Sequence, residues 1–265
     1  MNRTERSRIL TGMIEAAAEA GTRIREMAAT GIVARSKADS SPVTDADEAA
    51  EAIIERHLQA LLPGVPMIGE EAVAGGSKKK PGSSFFLVDP IDGTREFVAK
   101  RPEYTVNIGL LIDGTPALGV IYAPALGELY AGGAGGALRL ALPAGRKPEQ
   151  AAPEPIRTRP PAKKLVAVVS HSHLDSATSA WLRQRAIEDT LKVGSSIKFC
   201  RVAEGKADIY PRLAPVSEWD IAAGHAILMA AGGSVRAPDG SPLHYGKRAD
   251  DYEVKNFIAT GRAAL

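Results

Sequence analysis

One cysteine, Cys200, is all the chain holds in 265 residues. That excludes an internal disulfide and fits a reducing compartment, and the thiol reads as a small buried apolar group rather than a nucleophile. Aromatic residues make up only 5%, too few for the stacking platform that holds single-stranded nucleic acid. An excess of one charge sign is also missing: 33 Lys and Arg against 31 Asp and Glu leave a formal net charge of +2. So small a surplus points to neither polymeric nucleic acid nor a membrane surface as partner. No stretch approaches the ~20 apolar residues of a membrane span. Met1-Asn2-Arg3-Thr4-Glu5-Arg6 is followed by no apolar run of signal-peptide length, so a cytoplasmic protein is expected. Internal repeats are absent, and so is any Cys/His cluster of zinc-binding spacing.

What is present centres on residues 85–97, Phe85-Phe86-Leu87-Val88-Asp89-Pro90-Ile91-Asp92-Gly93-Thr94-Arg95-Glu96-Phe97. The apolar start, with aromatic and β-branched members, reads as a short buried strand. Pro90 has no N–H for a sheet ladder, so the strand is expected to stop there. Gly93 permits a tight turn, and Thr94 is placed to cap a helical turn opened by Arg95-Glu96. One loop then gathers two acids, a hydroxyl and backbone N–H groups. Acids bind a hard cation through oxygen, and N–H groups at a helix start bind phosphate. An Asp-Pro turn with a capping threonine is also common in ordinary loops, so these residues alone do not decide the matter.

Around this loop, Ile9, Met13, Ala17, Ala20, Ile24 and Met27 recur at helical steps and predict a first helix ending by Gly31. A short strand near 32–34 and a turn-rich loop over 37–42 follow. Thr44 is expected to cap a second helix, with acids in its first turn. Pro63-Gly64 stops that helix, and residues 65–68 read as a strand delivering Glu70 and Glu71. His57, on the helix's apolar face, reads as a structural histidine. Residues 104–112 alternate apolar with smaller or polar side chains, Asp113-Gly114 turns the chain, and further strands run to Leu140, predicting a sequential antiparallel meander. Residues 143–161 are rich in Pro and Ala and read as a linker. Beyond them strand and helix alternate, which implies an α/β layer with parallel pairing. The expected division is an N-terminal α+β domain over 1–142, a linker or exposed loop over 143–164, and a C-terminal α/β domain over 165–265.

Asp89-Pro90-Ile91-Asp92-Gly93-Thr94, with Gly69-Glu70-Glu71 upstream and Trp219-Asp220 downstream, resembles the signature set of the inositol monophosphatase-like, magnesium-dependent, lithium-sensitive phosphatases. Within that superfamily, Thr94-Arg95-Glu96-Phe97 and Gly194-Ser195-Ser196-Ile197-Lys198-Phe199-Cys200 resemble the bacterial 3'(2'),5'-bisphosphate nucleotidases of the CysQ type. The resemblance covers nearly the whole chain. It implies an αβαβα layered sandwich with an N-terminal meander sheet and a C-terminal mixed sheet. It also implies two or three Mg²⁺ ions held by Glu70, Asp89, Asp92, Asp220 and the carbonyl of Ile91. Asp47 and Thr94 match a dyad that orients the attacking water, and Glu71 matches an acid that assists it. By residue type Gly93 and Thr94 suit the phosphate, and Ser195, Ser196, Lys198 and Arg212 suit the rest of a nucleotide, while the resemblance alone adds Ser172 and His173. The family's Ser/Thr-Arg-Ser-His run appears here as Ser170-His171-Ser172-His173, so a permanent positive charge is missing. The implied substrates are 3'-phosphoadenosine 5'-phosphate and its sulfated relative. A monomer or homodimer is expected, in the cytoplasm, with the peripheral inner-membrane contact attributed to some relatives left open.

Three other readings compete. Aspartyl-phosphate phosphatases of the haloacid dehalogenase type place their acids two residues apart, whereas Asp89 and Asp92 are three apart. An inositol monophosphatase or broad sugar-phosphate phosphatase shares the whole metal signature. A non-catalytic nucleotide sensor would keep the fold, but nothing would oblige it to keep every expected ligand and both dyad members.

Overall fold

The computed structural model describes residues 1–36, 42–133, 135–160, 162–171, 174–247, 249 and 251–262. Helix α1 (Arg3–Thr30) opens on Asn2, whose side chain accepts the Glu5 N–H, and ends at Gly31. Strands β1 (Ala34–Ser36) and β2 (Pro42–Thr44) pair as an antiparallel ribbon leading into α2 (Asp45–Leu61). There follow β3 (Met67–Gly69), α3 (Glu70–Ala74), β4 (Ser84–Asp92), α4 (Thr94–Val98), β5 (Thr105–Ile112), β6 (Thr115–Ala123), β7 (Glu128–Gly133), β8 (Gly136–Ala141) and β9 (Glu154–Ile156). The C-terminal half contributes β10 (Val166–Ser170), α5 (Ser176–Gln184), β11 (Asp189–Val193), α6 (Ile197–Ala203), β12 (Ile209–Arg212), β13 (Val216–Ser217), α7 (Glu218–Ala230), β14 (Ser234–Arg236), β15 (Glu253–Val254) and β16 (Phe257–Thr260).

Two sheets carry the architecture. The first has seven strands in the order β3-β4-β5-β6-β7-β8-β9, antiparallel except that β3 runs parallel to β4. The second is mixed, ordered β11-β10-β12-β16-β14, with β10 parallel to β11 and β12 and β16 antiparallel to both its neighbours. Phe86, Val88, Val106, Ile108 and Leu110 face α1 and α2 in one core, while Phe85, Leu87, Leu111 and Ile121 face α6 and α7 in another. Trp181 and Leu182 of α5 cover the outer face of the second sheet with Ala167, Val169 and Ile209. The layers are therefore helix, sheet, helix, sheet, helix, with one core continuous across both halves.

Helix α7 is buried on nearly every side, as its apolar sequence requires of a central helix. It lies unusually close to the first sheet because three strand glycines face it. A Cβ on Gly119 would stand 2.2 Å from the Ala223 carbonyl oxygen, and one on Gly132 would stand 2.6 Å from Ile227 Cα. Gly109 meets Ala222 in the same lane. That close approach sets the start of α7, and with it Asp220, against the end of β4.

Several expectations change. β4 does not stop at Pro90 but runs to Asp92, because the ladder jumps from Asp89↔Asn107 to Asp92↔Thr105 and leaves Pro90 inside a bulge. The missing proline N–H thus falls where no ladder donor is needed. Gly93, at φ +91°, rather than Thr94, takes the N-cap position of α4. The stretch expected as linker holds a turn of 3₁₀ helix at Pro148–Gln150 and then β9, which pairs with β8 as the sheet's last strand. The loop expected over 37–42 lies, apart from Pro42, outside the described residues. Cys200 is buried as expected, and burial pushes its thiol pKa up. His57 Nε2 contacts Glu19 Oε2 at 2.6 Å. Among the described residues no helix is long and apolar enough to cross a membrane.

Candidate active site

The ends of β4, α4, α6, β12 and α7 converge on a cavity of about 370 Å³, the space of a small ligand. Glu70, Asp92, Gly93, Thr94, Ser195, Ser196, Lys198, Arg212 and Asp220 all line it, residues drawn from both halves of the chain. Asp47, Asp89 and Ile91 lie buried directly behind that lining. Glu71 is half-buried beside Glu70 at the start of α3. Ser172 and His173 lie outside the described residues.

The acids are packed together rather than scattered. Asp89 is 2% exposed and its carboxyl pKa is pushed well above the usual range, first by burial and then by the charges of Glu70, Asp92, Asp220 and Asp47. Asp220 is pushed up likewise, by burial and then by Asp92 and Glu70, with the Ser217 N–H and Arg212 opposing. Such a cluster is costly unless a cation neutralises it. The donors are all oxygen, and no histidine or cysteine is among the described residues lining the cavity, which is the chemistry of magnesium rather than zinc. Among the described residues no group of three or more His, Cys, Asp or Glu side chains is arranged to hold a metal ion as it stands. Each acid is instead turned in part to a nearby donor: Asp89 Oδ1 accepts the Ile91 N–H at 3.0 Å, and Asp220 Oδ2 accepts the Ser217 N–H at 3.0 Å.

Asp47 serves two elements. Its Oδ2 accepts the Thr44 N–H at 2.8 Å and the Thr44 hydroxyl at 2.6 Å, closing the capping box that starts α2. Its Oδ1 faces Thr94 Oγ1 at 3.4 Å. The same Thr94 hydroxyl lies 3.0 Å from the Ile91 carbonyl oxygen. The two expected dyad members and the expected carbonyl ligand are thus brought together, with the Thr94–Asp47 separation of 3.4 Å longer than the ~2.5–3.0 Å usual for an O–H···O bond.

Ser195 and Ser196, expected on substrate, are turned to the acid wall. Asp92 Oδ2 accepts the Ser195 hydroxyl at 2.7 Å and the Ser196 N–H at 2.5 Å. Ser196 Oγ also donates to Asn107 Oδ1 at 2.7 Å, and both serine hydroxyls contact Thr105 Oγ1. Ser195 adopts φ +54° to make this fit. The physical reason is the carboxylate charge: Asp92 draws the Ser195 hydroxyl and the Ser196 N–H that the opposite half brings near.

Lys198 is 4% exposed, with Nζ 2.5 Å from the Ser195 carbonyl oxygen and 5.3 Å from the Tyr210 ring centre. Burial lowers its amine to about 8, with Asp92 pulling the other way and Arg212 adding to the fall. Arg212 makes long contacts to backbone, 3.4 Å to Ala214 O and 3.5 Å to Pro215 O, and also bonds the Tyr210 side chain. His171, where the resemblance expects arginine, has Nδ1 3.5 Å from Glu103 Oε2, and that oxygen also accepts the Gly194 N–H at 3.1 Å.

Two site residues escaped sequence reasoning. Glu51 accepts the Glu71 and Ala72 N–H groups; its place four residues after Asp47, on the same helix face, was the available signal. Thr105, across the sheet from Asp92, carries no local signal at all.

Comparison with known proteins gives a concordant picture. The sequence pattern described as the inositol monophosphatase family matches residues 5–264. The 3'(2'),5'-bisphosphate nucleotidase CysQ of Escherichia coli strain K12 is 43% identical over 213 residues, covering 80% of this chain and 83% of that protein. The crystal structure of CysQ from Bacteroides thetaiotaomicron, a bacterial member of the inositol monophosphatase family, superposes with a TM-score of 0.79 at 35% identity, covering 96% of this chain and 97% of that one. An inositol monophosphatase from Anabaena superposes with a TM-score of 0.72 at 28% identity, covering 96% and 90%.

Proposed function

Because the chain belongs to the inositol monophosphatase family, we propose that it is a magnesium-dependent phosphomonoesterase acting on a nucleoside bisphosphate. Its substrate is 3'-phosphoadenosine 5'-phosphate, from which it removes the 3'-phosphate to leave AMP, and the sulfated relative is accepted too. The observation that carries this reading is the pairing, in one cavity, of an acid cluster with two cations, Lys198 and Arg212. A singly phosphorylated neutral ring calls for hydroxyl partners, whereas a second phosphate calls for charge.

In this reading Glu70, Asp89, Asp92, Asp220 and the Ile91 carbonyl hold two or three magnesium ions. Magnesium, when bound, supplies a more acidic water and neutralises charge on the phosphoryl and leaving oxygens. The chain's own groups do the rest. Thr94 Oγ1 accepts a proton from the attacking water while its own hydroxyl proton turns to Asp47 Oδ1. Glu71 supports that transfer from the start of α3. The N–H groups of Gly93 and Thr94 hold the transferred phosphate, and Lys198 and Arg212 hold the second one. Ser195 and Ser196 fix Asp92, and Ser172 and His173 are assigned to the substrate by the family resemblance alone. A cytoplasmic enzyme, monomer or homodimer, is part of the same proposal, and the lone buried thiol supports a reducing compartment.

A phosphate-release screen tests the assignment. The bisphosphate should be turned over only with magnesium, with kcat/KM well above that for inositol 1-phosphate, and lithium should inhibit. Comparable kcat/KM for the two would instead favour an inositol or broad sugar-phosphate phosphatase. No turnover of any phosphate ester would favour a binding protein.

A further inference from the structure

Helix α3 is five residues long and carries two acids, Glu70 and Glu71, in its first turn. So short a helix does not hold itself in place, since helix nucleation is unfavourable and its side-chain caps are absent here. Its starting N–H groups are met from outside. Glu51, one turn along α2 from Asp47, is 7% exposed and accepts the Glu71 N–H through Oε2 at 2.9 Å and the Ala72 N–H through Oε1 at 2.8 Å. Both carboxylate oxygens are therefore committed to the backbone immediately after Glu70. On the other side of the clamp, Gly69 ends β3, and a Cβ there would lie 2.4 Å from Glu51 Oε2 and 2.5 Å from its carboxyl carbon. Gly69 has φ −103°, a conformation open to any residue, so space and not backbone freedom requires glycine.

We infer that Glu51 is a positioning residue for the metal centre, clamping the α3 turn so that Glu70 stands at the cavity, with Gly69 leaving room for the clamp. The inference rests on the metal reading of the site but not on the identity of the nucleotide. An outer partner of this kind typically changes metal affinity by about 10–100-fold when removed. Glu51→Gln keeps the size but presents an NH₂ to one of the two N–H donors, so the turn must shift. Gly69→Ala pushes the carboxylate from the opposite side.

Magnesium alone, titrated calorimetrically into the metal-free protein without substrate, tests this. Glu51→Gln and Gly69→Ala should each weaken magnesium binding by about tenfold or more, with circular dichroism unchanged and kcat largely recovered at saturating magnesium. Adding Gly69→Ala to Glu51→Ala should weaken binding no further, because the group it displaces has gone. Wild-type affinity in Glu51→Gln, or a Gly69→Ala loss that adds in full to that of Glu51→Ala, overturns the inference. So does a lower melting temperature with unchanged magnesium affinity, the mark of a merely structural role. If Glu51→Gln fails to fold, the Gly69→Ala titration decides in the same terms. Failure of the wild-type protein to bind magnesium would overturn the metal reading itself, and the two failures are thereby told apart.

Discussion

On one wall of the cavity, Asp89 and Asp92 sit three residues apart at a bulged strand end, with Asp47 and Glu70 delivered by helices packed on the same sheet. On the other, Lys198 comes from a helix and Arg212 from the last residue of β12, both in the C-terminal half. The acid wall is densely cross-linked: Asp47, Asp89 and Asp92 each accept at least one bond from a neighbouring backbone N–H. The basic wall is looser at Arg212, whose backbone contacts are 3.4 and 3.5 Å, while Lys198 is buried with Nζ 2.5 Å from the Ser195 carbonyl oxygen. A wall that must hold mutually repelling charges in fixed geometry needs rigid partners. A wall that greets an anion from solvent needs charge and some freedom. In the proposed reading, the contrast separates chemistry, on the acid side, from selectivity, on the basic side.

The largest effect should follow from breaking the acid wall at its junction with the other half. Asp92→Asn keeps the size but removes the charge, so turnover should fall by more than the roughly 10–100-fold that loss of an outer partner costs. A magnesium titration of activity, with circular dichroism as folding control, checks this; near-normal activity at ordinary magnesium would take Asp92 out of the metal site. Next in size are Thr94→Ala and Asp47→Asn. Each should lower kcat by about 10²–10⁴-fold with little change in KM. Because the two act through one contact, the double variant should be little worse than either single, and fully multiplicative losses would show independent roles.

These two walls also differ in how much of them the sequence displays. Asp89 and Asp92 are legible because strand, proline and glycine are contiguous, and their order relative to Glu70 and Asp220 carries the family resemblance. The helices and the meander follow from periodicity and from turns such as Asp113-Gly114, whose positive φ angles at 50° and 71° suit a tight hairpin. What stays hidden depends on partners distant in the chain. Ser195 and Ser196 fold onto Asp92 from about a hundred residues away, which no local pattern announces. Pro90 continues a strand only because a bulge across from Asn107 and Thr105 absorbs it. The proline-rich stretch after β8 yields β9 because the sheet edge offers unpaired backbone groups, a property of the assembled sheet and not of those residues.

Smaller effects sharpen the basic wall. Lys198, lowered by burial to about 8, loses its charge as pH rises through that value. KM for the bisphosphate should therefore climb above pH 8, while KM for a nucleoside carrying only the 3'-phosphate stays nearly level. A pH series with both substrates checks this, and parallel profiles would remove Lys198 from second-phosphate binding. The smallest effect concerns a group on neither wall. His225 is buried and neutral, with its pKa lowered to about 4 from 6.5 and Nδ1 2.8 Å from the Tyr245 hydroxyl. The unfolded chain then binds the extra proton between those values. Its stability contribution is thus full above pH 6.5 and is lost as pH falls toward 4, by roughly 3 kcal/mol at most. Urea unfolding across that range should show the loss, and His225→Gln should flatten it; an unchanged slope would assign it to other groups.

The division between a chemical wall and a selective wall is tested most directly by Arg212→Ala on two substrates. One is 3'-phosphoadenosine 5'-phosphate, the other adenosine 3'-phosphate, which differs only in lacking the second anion. A charge-assisted contact contributes about 1.5–3 kcal/mol, or roughly tenfold or more in kcat/KM. The variant should lose that much on the bisphosphate and keep kcat/KM on the monophosphate within about twofold. Equal losses on both would show that Arg212 serves the reacting phosphate or the fold, and that the cavity has no separate wall for a second one.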